Sequence, residues 1–248
     1  MIFGYVYETG KRACNEDALL FRSSLFAGGK LCLAAVCDGM GGMDHGMEAA
    51  KFCIGEMEAW YDRQLIPLIG NCKTWFSDPG PAIKTKGFRL YRQMNRALFE
   101  QMRETGKRMG TTAVMCVIYG ERFYLFHIGD SRGYLIRRTL PGRRFCQLTR
   151  DHGNEKGLCR CLGLNREWEP DFVAGRLGKG GLLLCTDGFY RAYEKSVWKS
   201  CLNPEKMRGE EGVRKRLREI ADYNLRRGEG DNISALYLST DKPVSEKR

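Results

Sequence analysis

Five apolar stretches of this chain each carry an acidic residue at one end. In LAAVCDGMGG, residues 33–42, a run of mostly apolar side chains stops at Asp38 beside Gly39. FHIGDSRG repeats the arrangement with Gly129 and Asp130, and LLLCTDGF repeats it with Asp187 and Gly188. NEDALLF sets Glu16 and Asp17 ahead of Ala18, Leu19 and Leu20, and GDNISALYL sets Asp231 after Gly230 ahead of the last apolar run. A single Asp-Gly pair reads as a turn. Five such ends are explained by one cause if they meet at a shared acidic site.

Carboxylates gathered at neutral pH repel, and several must take up protons unless cations join them. The candidate ligands are all oxygen, and the three histidines (His45, His127, His152) stand apart in the chain. Hard Mg²⁺ or Mn²⁺ is therefore favoured over zinc. A carboxylate such as Asp38 can bridge two ions, and a water held between them has its pKa lowered toward about 7. The hydroxide so formed suits in-line attack on a phosphoryl group. Glycine beside Asp38, Asp130, Asp187 and Asp231 lets the backbone turn tightly, so that a main-chain carbonyl such as that of Gly39 can also face a metal. Arg12, on the N-terminal side of NED, is the candidate clamp for phosphate oxygens.

Elements must bring these ends together. Residues 2–8, 18–21 and 31–37 read as strands. A helix over about 46–63 places Ala49, Cys53, Met57 and Trp60 on one face. Pro67 and the polar stretch 70–81 mark a loop. A second helix over about 82–105 aligns Tyr91, Met94, Leu98 and Met102 and stops at Gly106. Residues 111–138 read as an antiparallel meander, with a further strand in RRFCQLT after the Pro141-Gly142 turn. The segment 151–170 is irregular, GLLLCTD is a buried strand, and EEGVRKRLREIADYNLRRG is an amphipathic helix before the final strand NISALYL. Strands, two helical blocks and strands again do not make the alternation of a doubly wound sheet. The expected fold class is α+β, an antiparallel core flanked by helices. Residues 1–240 read as a single domain and 241–248 as a disordered tail.

The 248 residues are 43% hydrophobic and 11% aromatic, enough for a sizeable core. No apolar run approaches the roughly 20 residues of a membrane span. The N-terminus lacks the features of a signal peptide and reads as a first strand. Eleven cysteines are an odd number, and Cys32, Cys37, Cys116 and Cys185 lie inside apolar runs. They read as reduced thiols of a cytoplasmic protein. The net charge of +11 is spread over short basic groups, without a nucleic-acid-binding motif, so no specific nucleic-acid partner is expected.

The ordered series GKRACNEDALL, LAAVCDGMGG, GTTAV, FHIGDSRGYLI, LTRDH, LLLCTDGF and GDNIS resembles the metal-dependent protein phosphatases of the protein phosphatase 2C family, above all its bacterial branch. The resemblance implies a pair of antiparallel sheets packed face to face with helices outside, an α-β-β-α sandwich. It implies hydrolysis of serine/threonine phosphoproteins with two Mn²⁺ or Mg²⁺ ions and a third, weaker one. Asp38 would bridge the two ions with the Gly39 carbonyl on one of them. Asp187 and Asp231 would complete the second ion, and Asp130 would help to hold the third. Glu16 and Asp17 would orient metal-bound waters, and Arg12 would bind the substrate phosphate.

The partners so implied are phosphorylated proteins, together with a serine/threonine kinase and its targets, met by a monomer. His127 and His152 read as structural. Some animal members carry a histidine after the Asp-Gly pair, where this chain has Met40. His45 is then either an acid for the leaving group or, the reading favoured here, an exposed loop residue. The flap after LTRDH is shorter than in bacterial relatives. A pseudophosphatase that binds phosphoproteins, and a phosphatase of small metabolites, remain the alternative functions.

Overall fold

Seven consecutive residues of the chain, Leu31 to Cys37, are buried on both faces of one strand. A strand can be apolar on both sides only if something covers each side, and this requirement sets the layering. The computed structural model describes residues 1–40, 45–71, 78–139, 142–154, 157–178, 180–203, 207 and 209–239.

The strands are β1 (Ile2–Glu8), β2 (Asp17–Phe26), β3 (Gly29–Met40), β4 (Gly110–Thr111), β5 (Ala113–Tyr119), β6 (Arg122–Ile128), β7 (Arg132–Thr139) and β8 (Gly142–Gln147). They continue with β9 (Gly153–Asn154), β10 (Gly157–Leu158), β11 (Asp171–Arg176), β12 (Gly180–Cys185) and β13 (Ile233–Ser239). The helices are α1 (His45–Trp60), α2 (Ile66–Gly70), α3 (Gly80–Thr105), α4 (Asp187–Tyr190), α5 (Lys195–Cys201) and α6 (Gly209–Arg226).

One sheet has the order β1-β13-β12-β7-β8, and the other has the order β11-β6-β5-β3-β2 with β4 paired to the end of β3. All of these pairings are antiparallel. The chain is therefore an α-β-β-α sandwich with three apolar layers. Val36, Cys116 and Leu125 meet Leu184 and Leu236 between the sheets. Met57, Tyr91 and Leu98 of α1 and α3 cover the six-stranded sheet. Trp198 of α5 and Val213 and Leu217 of α6 cover the other sheet.

Three expectations change. The helix expected to end near residue 63 runs on to Gly70 through a π-helical turn, Tyr61–Leu65. Pro67 does not stop it, because proline falls in the first turn of α2, where a missing N–H costs little. Helices α4 and α5, of four and seven residues, are too short for a periodic signal. The irregular segment 151–170 contains the two-residue hairpin β9–β10. The tail 241–248 lies outside the described residues. No disulfide joins the described cysteines, and no described helix is long and apolar enough to cross a membrane.

The chain that follows this hairpin is held to α3 by one buried amide. Asn95 is fully buried; its Nδ2 donates to the carbonyls of Asn165 and Arg166 at 2.7 and 3.1 Å, and its Oδ1 accepts from Gly163 N–H at 2.9 Å. Asn95→Ala strands these backbone groups, and the expected loss is about 1–3 kcal/mol in urea unfolding. An unchanged midpoint would show that water replaces the amide without cost.

Candidate active site

Strand β3 emerges from its buried run at Asp38, and cross-strand register sets Asp17 of β2 directly opposite. The peptide groups around Asp38 are gripped from β4. Thr111 Oγ1 and Thr112 N–H both donate to the Asp38 carbonyl at 2.9 Å. Asp38 N–H donates to Thr112 Oγ1 at 3.1 Å, and that hydroxyl shares a 2.7 Å hydrogen bond with Ser131. The two threonines of GTTAV thus hold the carboxylate's backbone in place.

Gly39 departs from the turn reading, since it remains in β3. A Cβ there would lie 2.2 Å from the Gly46 carbonyl oxygen and 2.7 Å from that of Glu16. Its small size is demanded by the close approach of α1 and of the segment before β2. Gly129 does make a turn, with φ of 110°, as it delivers Asp130.

Asp187 follows β12 at the start of α4, which Asn224 pins to α6 by donating to the carbonyls of Gly188 and Phe189 at 3.0 and 2.6 Å. Thr186, just before it, donates its hydroxyl to Asp17 Oδ2 at 3.1 Å, so a residue of one sheet touches the acid of the other. The Asp130 carbonyl accepts from Tyr190 Oη at 2.9 Å. Arg132 stacks 3.6 Å above the Tyr190 ring and forks onto Asp151. That contact accounts for the arginine of GDSR and the aspartate of RDH.

Asp231 precedes β13, and the side chain of its neighbour Asn232 bonds three backbone groups of the N-terminal segment. Asn232 Nδ2 donates to the carbonyls of Thr9 and Cys14 at 2.8 and 3.0 Å, while its Oδ1 accepts from Glu16 N–H at 2.9 Å. The loop bearing Arg12 and Glu16 is thereby tied to Asp231. Arg12 grips Asp231 with a hydrogen bond from Nη2 to Oδ2 and an ion-pair contact between Nε and Oδ1, each 3.0 Å. The roles of Asn232, Thr111, Thr112 and Thr186, within GDN, GTT and TDG, emerge only in the fold. So does that of Arg191, whose guanidinium pairs with Asp187 Oδ2 and lies 3.3 Å from Glu229 and 3.4 Å from Asp231.

The charges are relieved only in part, by Arg12 and Arg191. Burial pushes the Asp38 carboxyl well up, and the charges of Asp17, Asp187, Asp130 and Asp231 push it further. Asp17 is raised to about 7, by burial first and then by Asp187 and Asp231, against the Thr186 hydrogen bond. Asp187 is raised to about 6 by burial, with Arg191 opposing and Asp130 and Asp231 adding to the rise. Asp130 is also raised, mainly by burial. Burial lifts Asp231 too, but the bonds from Arg12 and Asn232 outweigh it and leave that carboxyl low. Asp17 Oδ1 and Asp187 Oδ1 are buried without a hydrogen-bond partner. An all-oxygen set with mutual repulsion and idle lone pairs fits hard divalent cations.

The histidines stand elsewhere. Among the described residues, His127, His152 and Asp171 form a trio whose ligand atoms all lie within 4.8 Å of one another. The trio does not suit a metal. Gly129 N–H donates to His152 Nδ1 at 3.1 Å, so the neutral ring carries its hydrogen on Nε2, 3.0 Å from Asp171 Oδ2. Arg160 also lies 3.7 Å from Asp171 Oδ1. His45 is not the exposed loop residue expected: it opens α1, largely covered, with Nδ1 3.7 Å from Glu48.

Raised carboxyl values have a sign. Asp17 and Asp187 hold protons more tightly folded than unfolded, so the protein stripped of divalent cations should lose stability as pH rises from about 4 to about 7. Melting temperatures across this range in a chelator should fall, and Asp17→Asn should flatten the slope. A wild-type melting temperature that climbs over the same interval would contradict the repulsion.

A family model described as Protein phosphatase 2C matches residues 8–228. The chain is 29% identical over 245 residues to serine/threonine protein phosphatase PstP of Mycobacterium tuberculosis, across 91% of this chain and 42% of that protein. It thus spans less than half the length of that relative. It is 24% identical over 237 residues to serine/threonine phosphatase stp of Listeria monocytogenes, across 84% of each chain. Among solved structures, the catalytic domain of PstP in complex with two manganese ions matches with a TM-score of 0.72 at 25% identity, over 96% of this chain and 98% of that one. Stp1 from Staphylococcus aureus shares the fold, with a TM-score of 0.77 at 20% identity over 98% of this chain and 96% of that one. Motif order, sandwich architecture and the family match agree: the chain belongs to the protein phosphatase 2C family.

Proposed function

We propose that the chain is a Mn²⁺- or Mg²⁺-dependent serine/threonine phosphoprotein phosphatase. The observation that carries this reading is the meeting of Asp38, Asp187 and Asp231, with Asp17 and Asp130, in one repelling acidic pocket with Arg12 at its rim. Asp38, the Gly39 carbonyl, Asp187 and Asp231 would hold two ions, and Asp130 would help with a third. When bound, such ions supply Lewis acidity and lower the pKa of a water.

The remaining work falls to the chain. Arg12, with its side chain 59% exposed, can turn from Asp231 to the phosphate oxygens and hold the ester in line. Asp17 and Glu16 orient waters from behind the ligands. Hydrolysis forms a bond from the water oxygen to phosphorus and breaks the bond to the serine or threonine oxygen, which leaves with a proton. A cysteine nucleophile is disfavoured: Cys37, next to Asp38, is fully buried, and burial, Asp17 and Asp38 all push its thiol up. Phosphoserine and phosphothreonine arise from a serine/threonine kinase, so the substrates are products of such an enzyme.

Release of phosphate from a phosphothreonine peptide should require added Mn²⁺ or Mg²⁺. Asp187→Asn and Asp231→Asn should each lower kcat by about a hundredfold or more while circular dichroism stays native. Wild-type turnover in both variants would defeat the proposal. Arg12→Ala should raise KM for the peptide about tenfold and lower kcat less. An unchanged KM would remove Arg12 as the clamp.

A further inference from the structure

We infer that Arg191 is a built-in counter-ion of the acidic pocket, standing between Asp187 and Asp231 where a divalent cation would bind and giving way when one enters. The inference rests on the metal-binding reading above, and it concerns a residue outside every acidic motif of the chain. Arg191 lies four residues after Asp187, one helical turn on, at the end of α4. Its guanidinium reaches carboxylates from two separate segments: Nη2 pairs with Asp187 Oδ2, and Nη1 lies 3.4 Å from Asp231 Oδ2 and 3.3 Å from Glu229 Oε1.

Both aspartates are proposed ligands of the same ion. Asp187 Oδ2 is engaged by Arg191, and Asp231 is engaged by Arg191 and by the Arg12 fork. Two guanidinium groups thus take the neutralising role at this end of the pocket, while Asp17 Oδ1 and Asp187 Oδ1 remain without a partner.

Glu229 fixes the arginine in this place. Its side chain is 7% exposed, and its Oε1 accepts from the backbone N–H groups of Gly230 and Asp231 at 2.9 and 3.0 Å. The backbone therefore aims Glu229 at Arg191. The arginine also has somewhere to go. Its side chain is 51% exposed, and it lines a cleft of about 590 Å³ with Tyr193, Tyr223 and Arg227. Swinging toward that cleft frees Asp187 and Asp231 and leaves Glu229 as a tether at the rim. Half-exposed ion pairs are weak, so Arg191 tunes cation affinity without blocking the site.

The test is calorimetric titration of Mn²⁺ into the full chain stripped with a chelator, for the wild type, Arg191→Gln and Arg191→Lys, with Arg96→Gln as a distant control. Arg191→Gln should bind Mn²⁺ about three- to tenfold more tightly. In the stripped state it should melt lower than the wild type, because the carboxylates have lost a partner. Arg191→Lys keeps the charge without the fork and should fall between the two. Raised salt should narrow the difference between wild type and Arg191→Gln. A dissociation constant for Arg191→Gln equal to or weaker than that of the wild type overturns the inference. Wild-type protein that binds no Mn²⁺ overturns the metal-binding reading, and this inference with it.

Discussion

Mutual repulsion among buried and half-buried carboxylates is the constraint around which this molecule is organised. Two like charges about 4 Å apart cost about 4 kcal/mol at an effective dielectric near 20, a large fraction of the net stability of a domain. Asp38 feels four other aspartates at once. Such a grouping persists only because the sandwich around it is well packed and because cations, guanidinium groups among them, take up part of the charge. The apolar layers and the acidic pocket are therefore complementary: the first supplies the stability that the second consumes.

Little in the pocket is held by the side chains that do the chemistry. Asp38 is fixed through its peptide groups by Thr111 and Thr112, and Asp187 through Asn224 and the short helix α4. The Arg12 loop is fixed through Asn232. At Asp38 and Asp187 these neutral hydroxyl and amide groups bond the backbone rather than the carboxylate oxygens. Other oxygens are engaged directly, on Asp231 by Arg12 and Arg191, on Asp187 by Arg191 and on Asp17 by Thr186.

Much of the site is legible in the sequence because its logic is local. An apolar run with an acid at its end is visible whichever strands pair, and five of them suffice to suggest convergence. The order of motifs then implies the sandwich. What escapes is whatever depends on packing between distant segments. Asn232 looks like an ordinary polar residue until Thr9, Cys14 and Glu16 come beside it. Gly39 reads as a turn because its neighbours Gly46 and Glu16, which forbid a side chain, are not adjacent in the chain. Pro67 reads as a stop because proline in the first turn of a new helix and proline after the end of an old one look alike in composition. Arg191 is missed because its three partners are read as metal ligands or not read at all.

The hydroxyl of Thr186 crosses from the end of β12 to Asp17 on β2, which belongs to the opposite sheet. Asp17 and Asp38 thus travel with one sheet, Asp187 and Asp231 with the other, and Asp130 sits on the link between them. Any slip of one layer over its neighbour would pull the halves of the pocket apart before it exposed much apolar surface. Alignment of the two layers and assembly of the acidic pocket are, in this architecture, a single degree of freedom.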